Sequence, residues 1–173
     1  MTGDAEEKQR AFLEGIRGRR GAAVAPEGLS FSGGWRCPGS WGETVRPFLA
    51  CAAPGEDAGW TGEHEALHED ASRDHFIDRA TRRSVLRLLA GALTGREAVF
   101  CDLGCSTGYL LEEVLGLFPR TLAAGADLVP QGLEKCHRRI PKALLFQVDV
   151  CDLPFGDNSI DVDCLCSDNR RRA

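Results

Sequence analysis

The sequence has no apolar run that could span a bilayer, and it has no apolar core of a secretory signal. Its first ten residues, MTGDAEEKQR, are charged from the start. These absences predict a soluble cytoplasmic protein that has no membrane partner. The formal net charge is −5, so the chain also lacks the basic footprint of a nucleic-acid-binding protein. The terminal NRRRA is too short to supply one.

Cysteine is abundant, but the spacing that marks a metal or redox site is missing. The chain has eight cysteines and no C-x-x-C pair. Those in or beside apolar runs are expected to be small buried thiols of a protein in a reducing compartment. They are Cys101, Cys105, Cys151, Cys164 and Cys166. No metal site is predicted from them.

The chain divides into two parts of different character. Residues 1–73 are predicted to form a helix followed by an irregular arm. The helix would bury one face that carries Phe12 and Ile16. Residues 21–62 are rich in glycine and proline, and three tryptophans punctuate the arm: Trp35, Trp41 and Trp60. We interpret this part as an arm or lid with aromatic anchors, in which no strand can be placed.

Residues 74–173 alternate between strand and helix patterns. A helix capped by Asp74 precedes the first strand. Strands are predicted at 98–101, 121–126, 143–150 and 160–166, and helices at 109–118 and 130–140. This alternation is typical of an α/β protein with a Rossmann-like parallel sheet and helices on both faces.

The most informative stretch is VFCDLGCSTGYLLEEVL, which starts at Val99. Ligands of parallel α/β sheets bind beyond the carboxyl ends of the strands, where this stretch turns from strand to helix. Gly104 and Gly108 are too close for a phosphate-binding P-loop, and they do not complete a dinucleotide fingerprint. Asp102 would repel a pyrophosphate, whereas it suits a ligand that carries an ammonium or sulfonium group.

The stretch resembles motif I of the class I S-adenosylmethionine-dependent methyltransferases, of the type-11-like kind. Asp102, Gly104 and Gly108 match that motif, and Ser106 stands where the family usually has its middle glycine. The segment AAGADLVPQGLEKC resembles the end of the family's second strand. The resemblance implies that Asp127 bonds both ribose hydroxyls.

A third segment, FQVDVCDLPFGDNSIDV, resembles the third-strand end and the loop that follows it. The resemblance implies that Asp149 faces the adenine amino group and that the Val150 backbone N–H meets the ring. Together the three segments cover roughly residues 76–166. They imply S-adenosylmethionine as cofactor and these binding residues: Asp102, Gly104, Cys105, Ser106, Gly108, Asp127, Leu128, Asp149 and Val150.

Other interpretations of single residues stay open. Asp102 could cap the following helix, and Asp127 could be solvated. Asp149 is expected within an apolar strand, where an unpaired carboxylate is costly. Tyr109 could lie near the sulfonium by cation–π attraction or could pack between helices. Leu153 and Phe155 are expected to be packing residues.

One competing motif is HEALH, which begins at His64 and has the H-E-x-x-H pattern of zinc proteases. A catalytic zinc helix needs an apolar face, and only Ala66 and Leu67 could supply one. An exposed acidic helix or loop is the favoured interpretation, and a zinc metalloprotease remains a minor alternative.

The sequence contains no acceptor-side motif after its fourth predicted strand. About four strands are expected, in the order 3-2-1-4, so the sheet would be incomplete and the domain would look truncated. The predicted function is a methyltransferase whose acceptor and catalytic residues are unknown. The alternative is a non-catalytic cofactor-binding or interaction module. The fourth strand would be an exposed edge, and self-association through it is expected.

Overall fold

The structure is a computed structural model that describes residues 3–16, 30–37, 44–51 and 75–166. Several features with a predicted role lie outside the described residues. They are Trp41, Trp60, the HEALH motif, Asp74 and the terminal arginines.

Within the described ranges the chain forms four helices and eight strands. The helices are α1 (Gly3–Glu14), α2 (Phe76–Leu93), α3 (Tyr109–Leu117) and α4 (Pro130–Arg139). The arm contributes the short strands β1 (Ser30–Phe31), β2 (Trp35–Cys37), β3 (Thr44–Arg46) and β4 (Leu49–Ala50). The remaining strands are β5 (Val99–Leu103), β6 (Leu122–Asp127), β7 (Leu144–Gln147) and β8 (Val162–Leu165). None of the described helices is long and apolar enough to cross a membrane.

The main sheet is parallel, and its strand order is β4-β7-β6-β5-β8. The last four strands are the predicted ones in the predicted order, so the α/β class and the Rossmann-like topology are confirmed. The fifth strand was not predicted. Leu49 and Ala50 of the arm pair with Phe146 and Gln147. A strand of two residues has no readable period, and it exists here because β7 offers a pairing edge.

The two faces of the sheet are covered differently. Helices α2, α3 and α4 cover one face and share a core with Phe100, Leu111, Leu133 and Leu145. The other face is covered by α1 and by the antiparallel sheet β1-β2-β3, so the arm belongs to the packing of the sheet. This explains why strands in the arm escaped sequence reasoning: they are two or three residues long and depend on tertiary contacts.

Aromatic packing joins the arm to the sheet. Trp35 is fully buried, and its Nε1 donates a hydrogen bond of 2.8 Å to the Leu145 carbonyl. Its ring lies 5.0 Å from that of Phe146, and the Phe155 ring lies 5.0 Å from Phe146 on another side. Phe12 of α1 contacts both phenylalanines. The predicted anchoring by Trp35 and the predicted packing role of Phe155 are therefore confirmed.

Two sequence expectations need correction. Strand β7 ends at Gln147, so Asp149 lies beyond the strand and is half-buried rather than enclosed in an apolar strand. The expectation of buried thiols fails at three positions: Cys151 and Cys166 are exposed, and Cys164 is half-buried. Cys151 lies in the turn after β7, and the other two lie at the end of β8, which has no neighbouring strand on its outer side within the described residues.

Candidate functional site

The site is built on the turn that joins β5 to α3. Three residues of this turn adopt positive φ: Gly104 (81°), Ser106 (45°) and Gly108 (84°). Glycine reaches this left-handed region without strain, whereas a serine there carries a conformational cost. Motif I usually has glycine at the position of Ser106. The left-handed backbone found there is the conformation that glycine adopts most readily, which explains the family's preference.

The backbone of the turn is fastened to the neighbouring strand β6. The N–H groups of Gly104 and Cys105 both donate to the Ala126 carbonyl, at 2.7 and 3.1 Å. The Ser106 N–H donates to Oδ2 of Asp127 at 2.8 Å, and Oδ1 of Asp127 accepts from the Val129 N–H at 2.9 Å. These bonds hold the half-buried Asp127 carboxylate in one orientation at the end of β6.

Gly108 is required by its surroundings as well as by its φ. A Cβ at this position would lie 2.3 Å from Sγ of Cys136 and 3.4 Å from Cδ1 of Ile140. The last turn of α4 therefore packs directly on the start of α3. Cys105 belongs to the same contact, because its buried thiol is hydrogen-bonded to that of Cys136, and this bond and burial raise its pKa well above the ordinary value. Both thiols act as packing groups.

Asp102 lies beneath the turn, on the next-to-last residue of β5. Its side chain is 4% exposed and has no hydrogen-bond partner within the described part of the chain. Burial, with a further contribution from the negative charge of Asp127, raises the pKa of Asp102 to about 7. The suggested helix cap is wrong, because Gly108 occupies the N-cap of α3. A buried carboxylate without a partner is a costly feature that a cationic ligand would relieve.

The end of β7 supplies the third group of predicted residues. Asp149 lies two positions beyond the strand, and its Oδ1 accepts a hydrogen bond of 2.9 Å from the Cys151 N–H. The Val148 N–H donates to the Asp127 carbonyl, which ties this loop to the end of β6. Leu128 is half-buried, and its carbonyl accepts from Nε2 of Gln147 at 3.4 Å. Asp102, Asp127 and Asp149 thus lie at the carboxyl ends of three adjacent strands.

Tyr109 has a structural role in this arrangement. The Cζ atoms of Arg139 and Arg82 lie 4.0 and 5.5 Å from its ring centroid. Nε of Arg139 also donates to the Thr107 carbonyl at 3.2 Å, and its Nη1 contacts Glu112 at 3.4 Å. Of the two alternatives for Tyr109, packing between helices is therefore confirmed, since protein guanidinium groups already occupy its ring.

Sequence reasoning missed one residue that shapes the site, Gly125. A Cβ at Gly125 of β6 would lie 2.7 Å from Cδ1 of Leu111 and 2.9 Å from Sγ of Cys105, so only glycine lets the turn and α3 approach the sheet. The glycine within an apolar strand was the one available signal for it. Asp161 is exposed, and its Oδ2 accepts the Val99 N–H at 2.7 Å at the start of β5, away from the site.

No three His, Cys, Asp or Glu side chains converge on a possible metal position within the residues that the structure describes. The HEALH histidines lie outside those residues.

Comparisons with known proteins show what this chain is similar to. Residues 100–169 match a family model described as a methyltransferase domain. The fold is that of a protein from Methanococcus maripaludis (mmp1179) provisionally described as an S-adenosyl-L-methionine-dependent methyltransferase, with a TM-score of 0.53 and 14% identity. The matched residues begin in β5 and contain the glycine turn, so this match supports the resemblance stated from the sequence, and the structural similarity confirms the fold. No curated protein matches the chain.

Two further solved structures are similar over shorter or looser superpositions. The sugar N-methyltransferase KedS8 from Streptoalloteichus sp ATCC 53650 has 24% identity, a TM-score of 0.49, and coverage of 67% of this chain and 44% of that one. DesVI from Streptomyces venezuelae has 27% identity, a TM-score of 0.40, and coverage of 54% and 38%. The Methanococcus alignment covers 65% of this chain and 52% of that chain. The chain therefore spans about half or less of the length of these proteins.

Proposed function

We propose that this chain binds S-adenosylmethionine at the carboxyl ends of β5, β6 and β7 and serves methyl transfer to an acceptor. The observation that carries the proposal is the Asp102 carboxylate, buried beneath the glycine turn without a hydrogen-bond partner in the described residues. S-Adenosylmethionine carries a transferable methyl group on a sulfonium, and it also has an ammonium group. Its positive charge would therefore stabilise the ionised form of this carboxylate.

Asp127 is suited to hold the ribose. Each of its carboxylate oxygens accepts one backbone N–H, and a carboxylate has about four acceptor positions. A carboxylate held in this orientation is suited to accept from the two hydroxyl groups of a ribose. Since the two amide bonds already fix the carboxylate, little conformational entropy is lost when a ligand binds.

The loop after β7 is suited to the adenine. Asp149 is half-buried, and its Oδ1 accepts from the Cys151 N–H. A carboxylate at this position is suited to accept from an exocyclic amino group. Leu128 and Val150 are half-buried beside it and offer apolar contact. The roles proposed for Asp149 and Val150 rest on their positions at the end of β7, next to Asp127.

The test is calorimetry with S-adenosylmethionine and with its demethylated product on the full chain. Asp127→Asn should weaken binding roughly tenfold or more, because hydrogen bonds to a charged group contribute about 1.5–3 kcal/mol. The matched control is Glu97→Gln. Glu97 precedes β5 at the opposite end of the sheet and pairs with the exposed Arg120.

Glu97→Gln should leave the affinity unchanged. Absence of binding to the parent chain would contradict the proposal, and equal losses in both variants would contradict the assignment of Asp127. Binding without turnover would favour the alternative of a non-catalytic cofactor-binding module. Turnover by this chain alone is expected to be weak, since it spans about half of the related proteins.

The setting of this activity is also proposed. The eight cysteines are all free thiols, which favours a reducing compartment such as the cytoplasm. The net charge of −5 favours an acceptor other than nucleic acid. Self-association through the exposed edge of β8 is proposed as well, and the geometry of that edge gives a direct test.

A further inference from the structure

Two thiols lie side by side at the end of edge strand β8. The Sγ atoms of Cys164 and Cys166 are 2.8 Å apart. Cys164 is half-buried and packs against the core of the helical face, whereas Cys166 is exposed. A solvent-borne reagent can therefore reach one member of the pair directly and the other through it.

Chain geometry permits a bond between them. Cys164 lies on β8 and Cys166 directly follows the strand, so an extended backbone with a rise of about 3.3 Å per residue would put their Cα atoms about 6.6 Å apart. Disulfides are found with Cα separations up to about 6.8 Å. The pair thus lies near the upper limit of the permitted span, which is typical of disulfides that form and break easily.

We propose that Cys164 and Cys166 are a reversible disulfide site that is oxidised by a low-molecular-weight disulfide such as oxidised glutathione. The sulfur separation argues against a shared zinc ion. Two thiolates at about 2.3 Å from one tetrahedral zinc lie roughly 3.8 Å apart, whereas bonded sulfurs are about 2.05 Å apart. No group of three metal-binding side chains occurs in the described residues either.

The reaction proceeds by two exchanges. The exposed Cys166 loses its proton, and its thiolate attacks one sulfur of the glutathione disulfide and expels one glutathione thiolate. The Cys164 thiol then loses its proton, and its sulfur attacks the Cys166 sulfur and expels the second glutathione. Two protein thiols are oxidised, one glutathione disulfide is reduced to two thiols, and the two protons go to the two leaving thiolates.

The order of attack follows from burial. Burial and the adjacent Cys166 raise the pKa of the Cys164 thiol above its ordinary value, so Cys164 is a poor first nucleophile. Once Cys166 carries glutathione, Cys164 is already beside the sulfur that it must attack. Its proximity then compensates for its low thiolate fraction.

The other cysteines provide internal contrasts. Cys105 and Cys136 also form a hydrogen-bonded thiol pair, but both are buried. Cys151 is exposed, and it makes no thiol contact within the described residues. Only the pair on β8 combines access with a neighbouring thiol. Because Cys164 is the register partner of Asp102, oxidation would occur on the strand next to that carboxylate.

The experiment uses the full folded chain with oxidised glutathione, followed by acid quenching, denaturation, alkylation of free thiols and cleavage before aspartates. This cleavage isolates the peptide DCLCS, which contains both thiols, from DVC, which contains Cys151. The expected result is a DCLCS peptide that is two hydrogen atoms lighter, takes up no alkylating reagent and regains two reactive thiols after treatment with dithiothreitol. Cys151→Ser, the exposed-cysteine control, should give the same peptide.

Cys166→Ser should abolish the internal bond, and circular dichroism should show that this exposed substitution leaves the fold intact. A parent peptide that retains glutathione on Cys166 with Cys164 free would overturn the proposal. Protection of both thiols by added zinc without oxidation would overturn it in favour of a metal site. The parent peptide decides the matter even if the variant folds poorly. None of these results depends on methyl transfer or on cofactor binding.

Discussion

The backbone N–H of Ser106 donates a hydrogen bond of 2.8 Å to the Asp127 carboxylate, which links the turn after β5 to the end of β6. Ser106 makes this bond with a φ of 45°. Hydrogen bonds to a carboxylate are stronger than those between neutral groups. This bond therefore helps to hold a serine in a conformation that favours glycine, and it orients the acid proposed to bind the ribose.

Ser106→Gly is expected to leave stability unchanged or to raise it by roughly 1 kcal/mol. The variant removes a left-handed serine, which costs about 1–3 kcal/mol, and the greater entropy of glycine in the unfolded chain returns about 0.5–1 kcal/mol. Cofactor affinity should stay the same or rise, because the turn becomes easier to approach. Thermal unfolding and calorimetry measure the two effects.

Asn158→Gly is the matched control for that prediction. Asn158 also adopts a positive φ, of 57°, but it lies in the exposed turn before β8. Asn158→Gly should change stability in the same direction as Ser106→Gly, and it should leave the affinity for S-adenosylmethionine unchanged. A clear loss of affinity in Ser106→Gly alone would mean that the serine hydroxyl contacts the cofactor.

The raised pKa of Asp102 predicts a specific dependence of stability on pH. The folded chain keeps a proton on Asp102 up to about pH 7, whereas an unfolded aspartate loses its proton near the ordinary pKa of 3.8. The folded state therefore binds more protons between these values, and its stability falls as pH rises through the window. The stability of Asp102→Asn relative to the parent should therefore rise between pH 5 and pH 8, by roughly 3 kcal/mol at about 1.4 kcal/mol per pH unit up to pH 7.

The affinity for S-adenosylmethionine should change with pH in the direction opposite to stability. A cationic ligand favours the ionised carboxylate, so parent affinity for S-adenosylmethionine should rise with pH, by up to about tenfold per unit below pH 7. Asp102→Asn should bind weakly and without this dependence. Urea denaturation and calorimetry at pH 5 and pH 8 provide the comparison, and parallel pH profiles for parent and variant would refute the role given to Asp102.

Gly108→Ala is expected to destabilise the fold by about 2–5 kcal/mol. The left-handed backbone accounts for about 1–2 kcal/mol, and a Cβ 2.3 Å from the Cys136 sulfur adds an overpacking cost of about 1–3 kcal/mol. Gly95→Ala is the control, since Gly95 has a φ of 70° and nothing within 4 Å of the added Cβ. It should show the backbone cost alone.

A second substitution separates the two causes at Gly108. Cys136→Ala removes the clashing sulfur, so Gly108→Ala should cost less in that background by roughly 1 kcal/mol or more. Additive effects in this double-mutant cycle, measured by chemical denaturation, would show that α3 shifts away from α4 instead of overlapping with it.

Sequence patterns predicted the features whose causes are local. The glycine turn, the helix that follows it and the buried strands β5 and β7 each carry their signal within a few residues. Strand β4 could not be predicted, because Leu49 and Ala50 become a strand only by pairing with β7. Tyr109 was ambiguous for the same reason, since Arg82 and Arg139, which contact its ring, come from α2 and α4.

The internal bonding of the proposed site could not be predicted from the sequence. The family resemblance pointed to Asp102 and Asp127, yet it could not show that one is buried without a hydrogen-bond partner in the described residues while the other accepts two backbone amides. Gly125 was missed because its need for space arises from Leu111 and Cys105, which reach it from the turn and from α3.

Strand β8 predicts self-association of the chain. It pairs with β5 on one side, and no other strand of the described residues pairs with its second side. Leu165 on this strand is 52% exposed. Unpaired edges with exposed apolar side chains recruit other strands, and the exposed Asp163 is the one charge on β8 that opposes this.

Sedimentation velocity over a range of protein concentrations should therefore show reversible association of the parent chain. Leu165→Lys should weaken it by roughly tenfold, because a lysine on an edge strand opposes pairing. Leu117→Lys is the control, since Leu117 on α3 is 59% exposed but offers no strand edge. It should associate like the parent. A parent that stays monomeric at every concentration would contradict the prediction, and equal weakening by both lysines would assign the association to general apolar exposure instead of the edge of β8.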